Sequence, residues 1–517
     1  MVLRMVWKKL SQPPSQAQER RVLWMMGIFF GFLHGNIALR PGQGGLGEDP
    51  AQYLLLAQSL ASGQGYRDLF LPGHPPHMFF PFVFPMLLAP LVALFGMDFR
   101  WMHLPNAVCG ALIPVLVYLL VRRREGWPIA LPAALFTGIS PLLVEMMPRI
   151  TSDLPYLPVS LMALLVLEQG SSRGKGLWLA ICLVLVAEFT RTIGFTLGFG
   201  AVMALWCSRR QETKSAVYKQ ILLMGGVVFG AMLLWWWRNA GLEMARGGYY
   251  LAYLQWDPDK DTFAGLTLPK LWRHLEYAVH FYGVASARAI IPRIPYAVFN
   301  QNLWLWVLLG GLTVFGWFSR VTRKQSAWEW YALSYVSVIL IWPFYPTRFL
   351  LPLLPALFYY FLVGMKEAAY GFARLLKQPI GGPLYAALAV SLAVSNVLFS
   401  GTSIDFYLRG PTMEPREIAL FTVHDWIRKN LPSDAVVFSA TPALTSLITH
   451  RHAVCILRTK DTRLLQELMK RFDLQYVLLS NDLEHLGEEA MGSLIGAERS
   501  HWRAVVRCGE VMLVQRF

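Results

Sequence analysis

From residue 22 to residue 400 apolar runs alternate with short polar breaks, at 22–39, 80–96, 102–121, 127–147, 154–168, 176–190, 193–208, 219–237, 302–318, 328–344, 349–365 and 383–400. Such runs predict helices able to cross a hydrocarbon core of ~30 Å. From about 402 the pattern changes. Helical stretches at 415–429, 443–449 and 462–472 alternate with strand-like ones at 435–439, 453–457 and 475–479, and a strand pair follows near 502–506 and 511–514. Strands alternating with helices predict a small α/β domain. The stretch 239–300 is too long for a simple connector and predicts a partly helical cap.

Composition fixes the class. Of the 517 residues, 55% are hydrophobic and 15% charged, and the mean hydropathy is +0.41. This describes a polytopic membrane protein. A net charge of +15 would suggest nucleic acid in a soluble chain; here it points to basic loops facing anionic lipid. The first run follows Lys8, Lys9, Arg20 and Arg21 with no small-residue cleavage site after it, which predicts an uncleaved signal anchor.

The basic residues also orient the chain. If 80–96 does not cross and the other eleven runs do, fifteen Lys and Arg, among them Arg122, Arg123, Arg124, Arg320 and Arg323, fall in short inner loops. Only Arg149, Arg191 and Arg348 then fall in short outer turns. That is the bias expected of cytoplasmic loops. Pro81, Pro85 and Pro90 within 80–96 interrupt helical hydrogen bonding, so this run is expected to be re-entrant or juxtamembrane. The sequence thus predicts a mainly α membrane protein of about eleven transmembrane helices plus that element, with a small C-terminal α/β extracytoplasmic domain. Its expected parts are a cytoplasmic N-terminus (1–21), a membrane domain (22–400) with a first outer loop at 40–101 and a long outer loop at 239–300, and a soluble domain (401–517). The expected location is the inner (cytoplasmic) membrane of a cell with a periplasm.

On this topology Asp49, His74, Asp153, Arg191, Arg238 and Arg348 share the outer side. Asp49, followed by Pro50, and Asp153, followed by Pro155, stand where a helix N-cap would stand; an ionisable group at a membrane edge equally suggests function. Arg191, Arg238 and Arg348 could snorkel to headgroups or hold a phosphate bidentately. His74 could donate to the same phosphate or simply occupy a turn. Asp257-Pro258-Asp259-Lys260-Asp261 lacks the glycine and terminal glutamate of a calcium loop and reads as a solvated turn. No Walker loop, His-Glu-x-x-His, Cys-x-x-Cys or Gly-x-Ser-x-Gly occurs. Cys455 and Cys508 could pair if the C-terminal domain is exported.

Several motifs in order resemble the GT-C membrane glycosyltransferases, in particular the bacterial group related to protein O-mannosyltransferases (family 39) and lipid A aminoarabinose transferases. They are Asp49, Tyr53 and Ala57 at four-residue spacing; His74-Pro75-Pro76; Asp153; Arg191-Thr192-Ile193-Gly194; Trp237-Arg238-Asn239; and Arg348-Phe349-Leu350-Leu351-Pro352. The resemblance covers roughly residues 20–400. Two departures stand out. Those families often show Asp-Glu where this chain has Glu48 before Asp49, and the aminoarabinose transferases have lysine where this chain has His74.

The resemblance implies a GT-C-type bundle that transfers a sugar from a polyprenyl-phosphate donor to an acceptor hydroxyl on a lipid, glycan or protein at the outer face, by inverting single displacement. Asp49 would be the general base, and Asp153 would orient acceptor or sugar. Tyr53, His74, Arg191, Arg238 and Arg348 would bind substrate, with Arg191 and Arg348 stabilising the departing phosphate. No cofactor or metal is required by such a leaving group, and membrane lipids rather than nucleic acid are the expected surroundings. A transporter or flippase is the alternative, and a non-catalytic scaffold is a further one.

Overall fold

The computed structural model describes residues 12–40, 46–169, 175–208, 214–243, 268–292, 303–323, 325–342, 344–410, 413–455, 462–480, 486–497 and 499–517. Each of the twelve apolar runs contains a helix. Among the described residues, five helices could cross a membrane by length and composition: Phe99–Glu125, Ser215–Ala240, Trp304–Arg323, Thr347–Leu375 and Gly381–Arg409. Four shorter apolar helices accompany them, Val83–Phe95, Trp127–Ile139, Thr192–Cys207 and Ala327–Ile341.

Local chemistry sets where these helices begin and break. Gln16–Ala38 starts at a capping box, Ser15 with Gln18, which satisfies two first-turn amides. The run 127–147 is divided into Trp127–Ile139 and Pro141–Met146. Pro141 disfavours helical backbone at Ser140, which sits at ψ 131°. Leu303–Arg323 and Leu354–Leu375 cross at Gly316 and Gly364, where added methyl groups would collide with the carbonyls of Tyr360 and Leu312.

One end of the bundle is tied by buried charge. Arg124 pairs with Glu329 at 2.7 Å and Glu168 at 2.8 Å, and its guanidinium lies 5.3 Å from the Trp328 ring centre. Arg320 and Lys366 both reach Glu125. The Asp49 end is built differently. There Val83–Phe95, only 13 residues and so about 20 Å long, packs along Glu48–Ala61. Their contact buries Ala51, Leu54, Phe84 and Leu88 in a cluster separate from the main core, and Ala443, Leu444 and Leu447 of the C-terminal region complete it.

The C-terminal region carries five strands: β1 (Val436–Ser439), β2 (His452–Val454), β3 (Tyr476–Leu479), β4 (Trp502–Cys508) and β5 (Val511–Arg516), in sheet order β2-β1-β3-β5-β4. β1 runs parallel to β2 and β3, whereas β5 pairs antiparallel with β3 and β4. Gly509, at φ 57°, makes the tight turn between β4 and β5 that a side chain would strain. Cys508 ends β4 and Cys455 follows β2, the two opposite edges. Four strand spacings, about 19 Å, separate those edges, so the two thiols do not pair.

Candidate active site

Asp49 lies in the first turn of Glu48–Ala61, whose N-cap is Gly47 with no side-chain cap bond. The carboxylate therefore does not cap its own helix. It pairs with Arg348, Nη2 to Oδ2 at 2.5 Å, and the two side chains are 34% and 29% exposed. Arg348 is delivered by the 3-10 helix Thr347–Leu353, whose first residue follows Pro346. Proline fixes the backbone entering that turn.

Asp153 also forgoes the capping role. It opens Asp153–Glu168 and forms a charge pair with Arg191, with side chains 3% and 15% exposed. Arg191 sits just before the 3-10 turn Thr192–Gly194, and Gly194 donates its amide to the Arg191 carbonyl at 2.8 Å. Glycine is required there: a β-carbon on Gly194 would stand 2.6 Å from Cα of Glu188. The Arg191 guanidinium lies 5.0 Å from the ring centre of Phe349, the neighbour of Arg348. Tyr53, one helical turn beyond Asp49, meets Ser152 hydroxyl to hydroxyl at 2.9 Å. Four chain segments thus converge: Asp49 and Tyr53, Ser152 and Asp153, Arg191, and Arg348 with Phe349.

Two further residues expected at the site make other contacts. His74 adopts a left-handed φ of 43° after Gly73, and its ring lies 5.5 Å from that of His452 in the C-terminal domain. Arg238 donates from Nη1 to the His77 carbonyl at 3.0 Å and to Oδ1 of Asn239 at 2.6 Å, while Asn239 donates to the Met78 carbonyl at 2.9 Å. The Trp237-Arg238-Asn239 motif thereby ties the end of Lys214–Glu243 to the segment around residue 77. Among the described residues no hydrogen bond or ion pair joins His74 or Arg238 to the two Asp–Arg pairs. The 257–261 stretch lies outside the described residues.

Some members had no signal in the sequence. His77 is fully buried and pairs through Nδ1 with Oδ1 of Asp68 at 2.6 Å, while Nε2 accepts from the Phe80 amide at 2.7 Å. With Nε2 accepting, the Nδ1 proton belongs to the Asp68 bond. This pair braces the loop Tyr66 to Phe80. Tyr282 and Tyr335 are buried, and among the described residues their hydroxyls find no hydrogen-bond partner. Glu188 is buried, and among the described residues neither carboxyl oxygen has a hydrogen-bond partner. Among the described residues no group of three or more His, Cys, Asp or Glu gathers as a metal site would need.

Residues 79–237 match the family model of dolichyl-phosphate-mannose-protein mannosyltransferases. No curated protein sequence matches. Solved structures agree along most of the chain. ArnT from Cupriavidus metallidurans, solved with undecaprenyl phosphate, matches at 12% identity and TM-score 0.55, over 97% of this chain and 98% of that one. The oligosaccharyltransferase AglB from Archaeoglobus fulgidus, solved with an inhibitory peptide and a dolichol-phosphate, matches at 12% identity and TM-score 0.56, over 89% of this chain and 69% of that one. The mycobacterial arabinofuranosyltransferase AftD matches at 14% identity and TM-score 0.50, over 98% of this chain and 40% of that one. The motif order, the family match within 79–237 and the shared architecture agree: the chain has the fold of these GT-C glycosyltransferases, and its segment 79–237 is similar to the protein-mannosyltransferase family.

Proposed function

We propose that this chain is an integral membrane glycosyltransferase that moves a sugar from a polyprenyl-phosphate donor to an acceptor hydroxyl. The observation that carries the reading is the convergence of two Asp–Arg pairs from distant segments at one end of an apolar bundle. Structures of the same fold hold undecaprenyl phosphate or a dolichol-phosphate, which supports a lipid-phosphate donor here. The excess of basic residues at the opposite end supports placing Asp49 and the C-terminal domain at the outer face of a cytoplasmic membrane.

The two aspartates differ in access, and this divides their work. Asp49, about a third exposed, can receive the proton of an acceptor hydroxyl as that oxygen attacks the anomeric carbon. Asp153 is almost fully buried and instead holds the Arg191 guanidinium in place. Arg348 bridges Asp49 and the departing phosphate, and Arg191 adds a second cation where negative charge grows. Bond making and breaking on opposite sides of the sugar carbon gives inversion. The test is transfer from radiolabelled polyprenyl-phosphate sugars to a membrane extract. Wild type should transfer label and Asp49→Asn should lose about 100-fold or more while remaining folded. Transfer by Asp49→Asn at the wild-type rate would remove Asp49 from the chemistry.

A further inference from the structure

Helix Pro442–Thr449 of the C-terminal domain lacks its own N-terminal cap. Its N-cap residue Thr441 makes no side-chain cap bond, and the first turn holds no acidic residue. The orphan amides are satisfied from the other end of the chain. Ala443 donates to Oε1 of Glu48 at 3.0 Å, and Leu444 donates to Oε2 of Glu48 at 3.2 Å. A carboxylate at this position meets both the unpaired N–H groups and the positive end of the helix.

Glu48 is the residue before Asp49, on the same helix. Successive side chains on a helix point about 100° apart, so one turns to the C-terminal domain while the other reaches Arg348. The contact is more than a single bond. Ala51, Leu54 and Leu55 share a buried cluster with Ala443, Leu444 and Leu447. Beside it, the Phe70 carbonyl accepts from the amide of Ala453 at 2.9 Å, adding one bond to the β2 edge of the sheet. Any roll or slide of Glu48–Ala61 relative to the domain must break the two Glu48 bonds, and the same motion carries Asp49 away from Arg348.

We infer that Glu48 is a positioning residue: it latches the Asp49 helix to the C-terminal domain and so sets the place at which Asp49 meets acceptor and Arg348. This rests on the reading of Asp49 as the general base. It gives the C-terminal domain a part in transfer, and it explains the Glu-Asp order of this chain. Burial raises the Glu48 carboxyl above its ordinary value, and the two amide bonds pull it back toward the charged form.

The test separates a latch from a domain stabiliser, using the full chain in lipid nanodiscs. Glu48→Ala removes both bonds; adding Thr441→Asp gives the helix a cap of its own without touching the Asp49 helix. A displacement of ~1 Å at a reacting group costs about 100-fold. Glu48→Ala should therefore lower kcat by about 10- to 100-fold with KM for the lipid donor within about twofold, and Glu48→Gln should fall between it and wild type. Glu48→Ala/Thr441→Asp should restore amide protection across 442–449 but leave kcat low. Wild-type kcat in Glu48→Ala, or recovery of kcat by Thr441→Asp, would overturn the proposal. If wild type transfers no sugar from any donor, the general-base reading fails separately. Hydrogen exchange across 48–56 then decides the latch, which predicts faster exchange in Glu48→Ala/Thr441→Asp and is overturned by unchanged exchange.

Discussion

Replacing Asp153 by asparagine should cost far more stability than the same change at Asp49. The Asp153–Arg191 pair has side chains 3% and 15% exposed. Asparagine there removes the compensating charge and leaves a guanidinium inside the bundle, which costs about 3–5 kcal/mol. Asp49 and Arg348 are 34% and 29% exposed, so water screens them and losing their pairing costs about 0–1 kcal/mol. Thermal unfolding of purified protein in one detergent, followed by tryptophan fluorescence, reads the difference. Asp153→Asn should fall by roughly 5 °C or more and Asp49→Asn by no more than a degree or two. A double variant, Asp153→Asn with Arg191→Gln, removes the stranded charge and should recover part of the loss. Equal shifts for the two single variants, or a double variant no better than the sum of its parts, would refute the division of roles by burial. Transfer activity should show the reverse order of specificity, with Asp49→Asn folded and inactive.

Three other expectations follow from packing and burial. Gly316→Ala or Gly364→Ala forces apart two helices whose backbones touch and should lower stability by about 1–3 kcal/mol; variants as stable as wild type would show that the crossing is looser than it looks. Glu188→Leu removes a buried carboxyl that has no hydrogen-bond partner among the described residues and should raise stability by about 1–3 kcal/mol, while a fall in stability or loss of transfer would reveal a partner for that carboxyl. In the C-terminal domain, burial lowers His424 from 6.5 to about 4. Because the folded-state value lies below the unfolded one, the stabilisation is complete above pH 6.5 and fades as pH falls towards 4, by about 3 kcal/mol in all. Hydrogen exchange of the sheet at pH 7 and pH 4 should show that loss, and His424→Asn should abolish the difference.

The apolar periodicity determined the twelve helical runs and the alternation of strand and helix after residue 402, because each is written in neighbours a few positions apart. The same short-range chemistry placed Asp49 and Asp153 at the starts of helices. It could not separate a cap from an ion pair, since Pro50 and Pro155 suit either reading. Arg348 lies 299 residues from Asp49, and only tertiary packing of the 3-10 helix, against Asp153–Glu168 and neighbouring helices, brings it near. The His-Pro-Pro motif drew attention to His74, yet the buried histidine of that loop is His77, held by Asp68 through a loop conformation that no local pattern encodes. Likewise Cys455 and Cys508 look like a possible pair until the strand order puts them on opposite edges. Glu48 is the sharpest case. In the sequence it is one more acidic residue beside Asp49, whereas in the fold it caps a helix 395 residues away. A hydrogen bond or charge pair between distant segments exists only when the core has fixed both backbones, so its partners belong to the tertiary structure.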